Sequence, residues 1–250
     1  LMNITQAESP FDAILQEDLE KIAESFPFAG ELSGKTVLVT GATGLIGSQI
    51  VRALSCLNRM HQVGVKTIAF VRSREKAERV FGELLNRGDL TVKTGDINQP
   101  LSLEEPVDYI IHGASATSSQ YFVSHPVETI FTAIDGTRHL LDLAVEKKVQ
   151  GFVYLSSLEV YGTPAADAGL IDEKYSGYLD PLQVRSSYSE GKRMVECLCA
   201  SYAAEYGVPV KVARLSQTFG PGVEYNDGRV FAEFARCAIE KRDIVLHTAG

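Results

Sequence analysis

The sequence predicts an α/β fold, a doubly wound parallel sheet, and three observations predict it. Short apolar, β-branched runs alternate with amphipathic helical stretches along most of the chain. One strand–turn–helix junction carries the run Gly41-Ala42-Thr43-Gly44-Leu45-Ile46-Gly47. Further on, Ser187-Tyr188-Ser189-Glu190-Gly191-Lys192 sets a tyrosine and a lysine four residues apart, which on a helix places both on one face.

Taken in order, residues 1–33 stand apart as an N-terminal helical extension. Between residues 10 and 26, Phe11, Ile14, Leu15, Leu19 and Ile22 recur with acids between them, an amphipathic helix suited to a packing arm or a subunit contact. Residues 34–250 form the dinucleotide-binding body. Thr36-Val-Leu-Val-Thr40 is the kind of run buried in a parallel sheet, and an amphipathic helix follows over 45–57. Further strands are expected at 67–71, 90–94, 109–112, 152–156 and 210–214, with helices at 74–85, 127–147 and 187–206. Such alternation calls for parallel strands joined by right-handed crossovers, with ligands outside the carboxyl edge of the sheet.

The chemistry is therefore sought at the strand ends. After the first strand, Gly41, Gly44 and Gly47, with Thr43, Leu45 and Ile46 between and beside them, let the backbone turn tightly and approach a pyrophosphate at the positive end of the helix. The second strand ends in Arg72-Ser-Arg74, cations that suit a 2′-phosphate, so NADP is a candidate cofactor beside NAD. Asp96-Ile97 closes the third strand, where an adenine-side contact is expected. His112-Gly-Ala114-Ser115 closes the fourth with small residues that let a flat ring or a phosphate near the backbone. The fifth ends Ser156-Ser157-Leu158-Glu159-Val160-Tyr161-Gly162. Lys192 is expected to stabilise the Tyr188 phenolate and to lower its pKa from about 10 toward working pH, making tyrosine a usable acid/base.

Composition narrows the classes. A net charge of −8 disfavours a nucleic-acid or anionic-membrane surface, since both need a basic stripe. No long apolar span or signal-like start is seen, and Cys56, Cys197, Cys199 and Cys237 form no Cys-x-x-Cys pair, so free, mostly buried thiols in a cytoplasmic setting are expected. No metal site is expected, because His61, His112, His125, His139 and His247 lack ligand spacing. His112, within an apolar strand, reads as structural.

Together, Gly41-x-x-Gly44-x-x-Gly47, Asp96-Ile97, the small-residue end of the fourth strand, Ser157 before Val160-Tyr161-Gly162, and Tyr188-x-x-x-Lys192 resemble the extended short-chain dehydrogenase/reductase superfamily, in its NAD-dependent epimerase/dehydratase branch. The resemblance runs from about Lys35 to Gly250. Arg185-Ser-Ser-Tyr188-Ser-Glu-Gly-Lys192-Arg193 and Asn226-Asp-Gly-Arg229-Val230 are similar to segments of UDP-glucuronate decarboxylases. The Ser157-Leu158-Glu159 triplet is similar to triplets of those decarboxylases and of sugar-nucleotide dehydratases. Leu158 stands where a 4,6-dehydratase uses an acid, which turns the reading away from that activity.

The resemblance implies a Rossmann fold and a nucleotide-sugar substrate acted on through an internal hydride cycle on NAD(P), in a homodimer. It implies catalytic roles for Ser157, Glu159 (base or proton relay), Tyr188 and Lys192, the last two also touching the cofactor. Arg185, Gln217 and Arg229 are implied to bind substrate, Gln217 standing where the family usually has Asn. By family standards the chain stops early, so the C-terminal substrate-binding part is expected to be short or missing. Two other readings compete: an NADP-dependent ketone or thioester reductase, and a catalytically idle dinucleotide-binding module.

Overall fold

All five residues of β1 (Thr36–Thr40) are buried, the signature of a central strand covered on both faces. The computed structural model, which describes residues 6–116 and 118–246, places β1 between β2 (Lys66–Val71) and β4 (Tyr109–His112), parallel to both. With β3 (Leu90–Thr94), β5 (Gly151–Ser157) and β6 (Val210–Leu215), the sheet has six parallel strands in the order β3-β2-β1-β4-β5-β6. This is the doubly wound Rossmann order, whose direction reverses between β1 and β4. In register, Thr40 sits opposite Phe70 on one side and His112 on the other, so three strand ends meet at that reversal.

Alternation along β1 sends its side chains into two separate cores. Leu38 joins Ile110 and Phe152 beneath Leu140, Leu141 and Leu143 of α5 (Pro126–Lys147) and Val195 and Cys199 of α6 (Ser186–Tyr206). Val37 and Val39 join Val51 of α2 (Leu45–His61) and Ala77 and Phe81 of α3 (Arg74–Phe81) on the opposite face. Period-two strands between helical layers thus account for the architecture.

The N-terminal arm packs within its own chain. Asp12 caps α1 (Ala13–Ser25) by accepting from the Leu15 amide at 3.0 Å, and Leu15, Leu19 and Ala23 pack on Cys56 and Leu57 of α2. Phe11, Ile14 and Ile22 stay exposed. A buried ionic cluster ties the arm down: the Glu8 carboxylate lies 3.1 Å from Arg59 and 3.0 Å from Arg87, and Arg87 also pairs with Asp89 at 2.5 Å.

Several boundaries differ from the sequence expectation. α2 runs four residues past Leu57, to His61, and stops at Gln62, whose φ of 54° is left-handed. Gly82, with φ 51°, ends α3, and residues to Asn86 continue as a 3₁₀ turn because the ladder cannot pass that conformation. α4 (Ser119–Ser124) and α7 (Val230–Glu240) were not anticipated. Six residues are too few for a periodic signal. For α7 the signal existed, Val230, Phe234 and Cys237 being spaced as one helix face.

Residues through Ser216 form one compact unit, and those from Gln217 onward form another, which contains α7. Of the four cysteines, Cys56, Cys199 and Cys237 are buried and all are free thiols. No helix among the described residues is long and apolar enough to cross a membrane.

Candidate active site

The glycine loop divides its labour between self-packing and exposure. Gly41 turns the chain out of β1 with φ +66°, and a Cβ there would lie 2.7 Å from the Gly113 carbonyl carbon and 2.8 Å from the Ala114 nitrogen. Gly47 brings the first turn of α2 against the loop, since a Cβ there would meet the Gly41 oxygen at 2.2 Å. Gly44 is different. It is exposed, has the ordinary extended values φ −81° and ψ 175°, and a Cβ would touch only the Gly41 oxygen, at 3.1 Å. No side chain caps the start of α2, so the amides around Leu45 and Ile46 are open to an anion over Gly44, with Thr43 half-buried beside them. These residues fit a dinucleotide pyrophosphate.

Around this cradle the predicted contacts separate. Arg72 is exposed at the end of β2 and has no ion pair among the described residues, whereas Arg74 is held by Glu78 at 3.2 Å. Asp96 is exposed and accepts from the Asn98 amide at 2.9 Å. Ile97 is buried under Gly136, and its carbonyl takes the His139 Nδ1 at 2.9 Å.

The end of β4 is fixed by a relay of hydrogen bonds. The Ala114 amide donates to Thr40 Oγ1 (3.3 Å), which donates to His112 Nδ1 (2.7 Å). His112 Nε2 donates to Thr137 Oγ1 (3.0 Å), which donates to the Ala133 carbonyl (2.7 Å). The donor at Thr137 is already used toward Ala133, so the imidazole must carry its proton on Nε2. Burial pushes His112 down to about 3, helped by the Lys192 charge, so the ring is neutral and structural as its strand position suggested. Ser115, next in the chain, turns its hydroxyl to the Ala116 carbonyl at 3.1 Å.

Ser157 and Glu159 lie where β5 gives way to a 3₁₀ turn (Leu158–Tyr161), facing the first turns of α6. The Ser157 Oγ accepts from the Glu159 amide at 3.2 Å, and its hydroxyl acts on the Tyr188 phenol. Lys192 is buried, donates to the Leu155 carbonyl at 2.9 Å, and lies 4.7 Å from the Tyr154 ring centre but 5.7 Å from that of Tyr188. Burial lowers Lys192 to about 8, opposed chiefly by the Glu196 charge.

The expectation that Lys192 lowers the Tyr188 pKa is therefore corrected. Burial, the largest cause, pushes Tyr188 above its ordinary value; the Ser157 hydroxyl opposes it, Glu159 adds to the rise, and Arg185 opposes. One helical turn does put both residues on one face. The ammonium, however, is satisfied by a carbonyl beneath the helix and does not reach the phenol.

Both carboxylate oxygens of Glu159 are engaged: Oε1 accepts from Arg185 at 2.8 Å and Oε2 from Ser189 Oγ at 2.7 Å. Arg185 lies 4.8 Å over the Phe122 ring, and Phe122 stacks on Tyr188 at 4.3 Å and 13°. The sequence reading missed Ser189 and Phe122. Helical spacing from Arg185 could have found Ser189; nothing local marks Phe122, which arrives on α4. Gln217 and Arg229 belong to the second unit, where Gln217 is exposed and Arg229 pairs with Asp227 at 2.6 Å. A separate cavity of about 350 Å³ beside β6, lined by Tyr161, Glu173, Glu196, Val212 and Arg214, excludes Tyr188.

Comparison with known proteins adds to this geometry. The model of the NAD dependent epimerase/dehydratase family matches residues 37–250. UDP-glucuronic acid decarboxylase 1 of Xenopus tropicalis is 33% identical over 250 residues, 95% of this chain and 56% of that protein. UDP-glucuronic acid decarboxylase 6 of Arabidopsis thaliana is 34% identical over 223 residues, 87% of this chain and 61% of that protein. The chain thus spans well under two thirds of both relatives. Among solved structures, a UDP-N-acetylglucosamine 4-epimerase from Methanobrevibacter ruminantium M1 superposes with a TM-score of 0.72 at 23% identity, covering 86% of this chain and 66% of that one. A dTDP-glucose 4,6-dehydratase from Bacillus anthracis, in complex with NAD, gives 0.69 at 22% identity, with coverages of 86% and 65%.

Proposed function

We propose, from the premise that this chain belongs to the NAD dependent epimerase/dehydratase family, that its site performs an internal oxidation and reduction on a sugar joined to a nucleotide, with decarboxylation of a uronate as the net reaction. The observation that carries this reading is the convergence of the helix bearing Tyr188 on the end of β5, where Glu159 accepts from Arg185 and Ser189 and the buried Lys192 donates to the Leu155 carbonyl. Leu158 and the decarboxylases among the relatives favour loss of carbon dioxide over dehydration.

Tyr188 takes the proton of a sugar hydroxyl as that carbon is oxidised to a ketone. Ser157 holds the phenol oxygen and the substrate oxygen in line. The glycine cradle around Gly44 would hold a nicotinamide dinucleotide, which would supply reversible hydride chemistry to the sugar carbon. A ketone β to a carboxylate lets that group leave as carbon dioxide, its bonding electrons passing to the ketone oxygen as an enolate that is then protonated. Tyr188 gives its proton back when the ketone is reduced. NAD(P) is the proposed cofactor, with Arg72 offering a partner to a 2′-phosphate.

The test is to incubate the full chain with UDP-glucuronate and, separately, UDP-glucose and UDP-N-acetylglucosamine, with NAD or NADP, and to read product mass. The reading expects UDP-glucuronate alone to give a product lighter by carbon dioxide, lost in Tyr188→Phe. Unchanged mass and unchanged sugar stereochemistry with every nucleotide would leave the idle module as the better account.

A further inference from the structure

Among the described residues, Arg185 is the one cation that lies both against the Tyr188 ring and at the rim of the site. Its guanidinium carbon is 5.9 Å from the Tyr188 ring centre and 4.8 Å from that of Phe122, and its side chain is 39% exposed. It lies over the Phe122 ring, and among the described residues its donors are far from used up: Nη2 donates to Glu159 Oε1 at 2.8 Å. A guanidinium has five donors in a fork that matches a carboxylate. Glu159 keeps a second hold, from the buried Ser189 hydroxyl at 2.7 Å, so its carboxylate stays in place when Arg185 turns away. An ion pair this exposed contributes little to stability, so the fold does not depend on it.

We propose that Arg185 exchanges partners: Glu159 in the free protein, and a carboxylate carried on the sugar ring in the complex, which makes Arg185 the residue that selects an acidic sugar. This inference rests on the uronate reading given above and assigns it a residue. A carboxylate two carbons from a hydroxyl held by Tyr188 falls within reach of a guanidinium about 6 Å from the phenol ring. A neutral hydroxymethyl group in the same place would leave the Arg185–Glu159 pair intact. The selection therefore comes from charge, with Glu159 as the internal competitor that any acidic substrate must displace.

The exchange predicts opposite signs for the two partners. In a Tyr188→Phe background that blocks turnover, binding of UDP-glucuronate and UDP-glucose is measured by calorimetry with saturating dinucleotide. Arg185→Met should weaken UDP-glucuronate roughly tenfold or more and UDP-glucose less than about twofold. Glu159→Gln, which keeps the shape but removes the competing charge, should tighten UDP-glucuronate a few-fold and leave UDP-glucose unchanged. Equal losses of both nucleotides in Arg185→Met, or weaker UDP-glucuronate binding in Glu159→Gln, would overturn the exchange while leaving the nucleotide-sugar reading intact. Failure of the parent to bind either nucleotide would overturn both. Should Arg185→Met not fold, Glu159→Gln decides alone, because only a displaced competitor predicts tighter binding.

Discussion

The Phe122 ring lies flat on the Tyr188 ring, 4.3 Å between centres and 13° from parallel, so one face of the proposed acid/base is closed to water by a residue 66 positions earlier in the chain. The stack adds to the burial of Tyr188, and burial is the largest cause that raises its pKa. Phe122→Leu should therefore lower that pKa, while the smaller apolar side chain keeps the buried site filled. The pH dependence of single-turnover oxidation would show its rise at lower pH than in the wild type. Identical profiles would assign the burial of Tyr188 to other neighbours.

Tyr188→Phe should abolish turnover and leave dinucleotide affinity within a few-fold, because the hydroxyl moves a proton but does not touch the glycine cradle. Single-turnover kinetics and calorimetry separate the two effects. Substantial residual oxidation of the sugar would remove Tyr188 from the mechanism.

Gly44 and Gly47 should fail in different ways. Gly44→Val occupies exposed space above the loop at backbone angles any residue adopts, so the fold should survive while dinucleotide affinity drops by about tenfold or more. Gly47→Ala forces a Cβ to 2.2 Å from the Gly41 oxygen and should cost on the order of 1–3 kcal/mol of stability. Thermal melts beside binding isotherms would show the contrast, and equal affinities for wild type and Gly44→Val would place the phosphates elsewhere.

His112 gives the fold a pH dependence of definite sign. Its folded pKa, about 3, lies below the ordinary value near 6.5, so the unfolded chain binds a proton there that the native state refuses. The neutral ring's contribution is fully present above about pH 6.5 and is lost progressively as pH falls from there toward about 3. His112→Asn should flatten the decline in urea-unfolding free energy between neutral pH and the onset of acid unfolding. Parallel curves for the two proteins would mean that carboxylates alone set the slope.

Arg72 should distinguish the two dinucleotides. Wild type is expected to bind NADP at least as tightly as NAD, and Arg72→Ala to lose roughly tenfold for NADP with little change for NAD, since the substitution removes a charge-assisted contact to the 2′-phosphate alone. Titration of both cofactors against both proteins checks this. A wild-type preference for NAD that the substitution leaves untouched would make Arg72 an ordinary surface charge.

Much of this protein was legible because its signals are local. Strands β3 and β4 have the bounds their residues predicted, and Gly41, Gly44 and Gly47 fall at the strand–helix turn the fingerprint requires. The switch at Gly82 from α-helix to 3₁₀ turn was not legible, because helical spacing carries on through residues whose backbone no longer does. On α6 the shared face of Tyr188 and Lys192 was read correctly and its electrostatic consequence was not. The Lys192 ammonium is claimed by the Leu155 carbonyl, 37 residues away.

By itself, then, the sequence determined the parallel sheet, its glycine turn and the pairing of tyrosine with lysine, because backbone propensity and period-two or 3.6-residue patterning act between near neighbours. Only the tertiary structure decided that Phe122 covers Tyr188, that Thr40 and Thr137 set the proton on His112, and that Arg185 and Ser189 share Glu159. Those partnerships join residues 25 to 72 positions apart. A long polar side chain or a ring takes whichever partner the strand order brings within reach, and that order is a property of the assembled sheet.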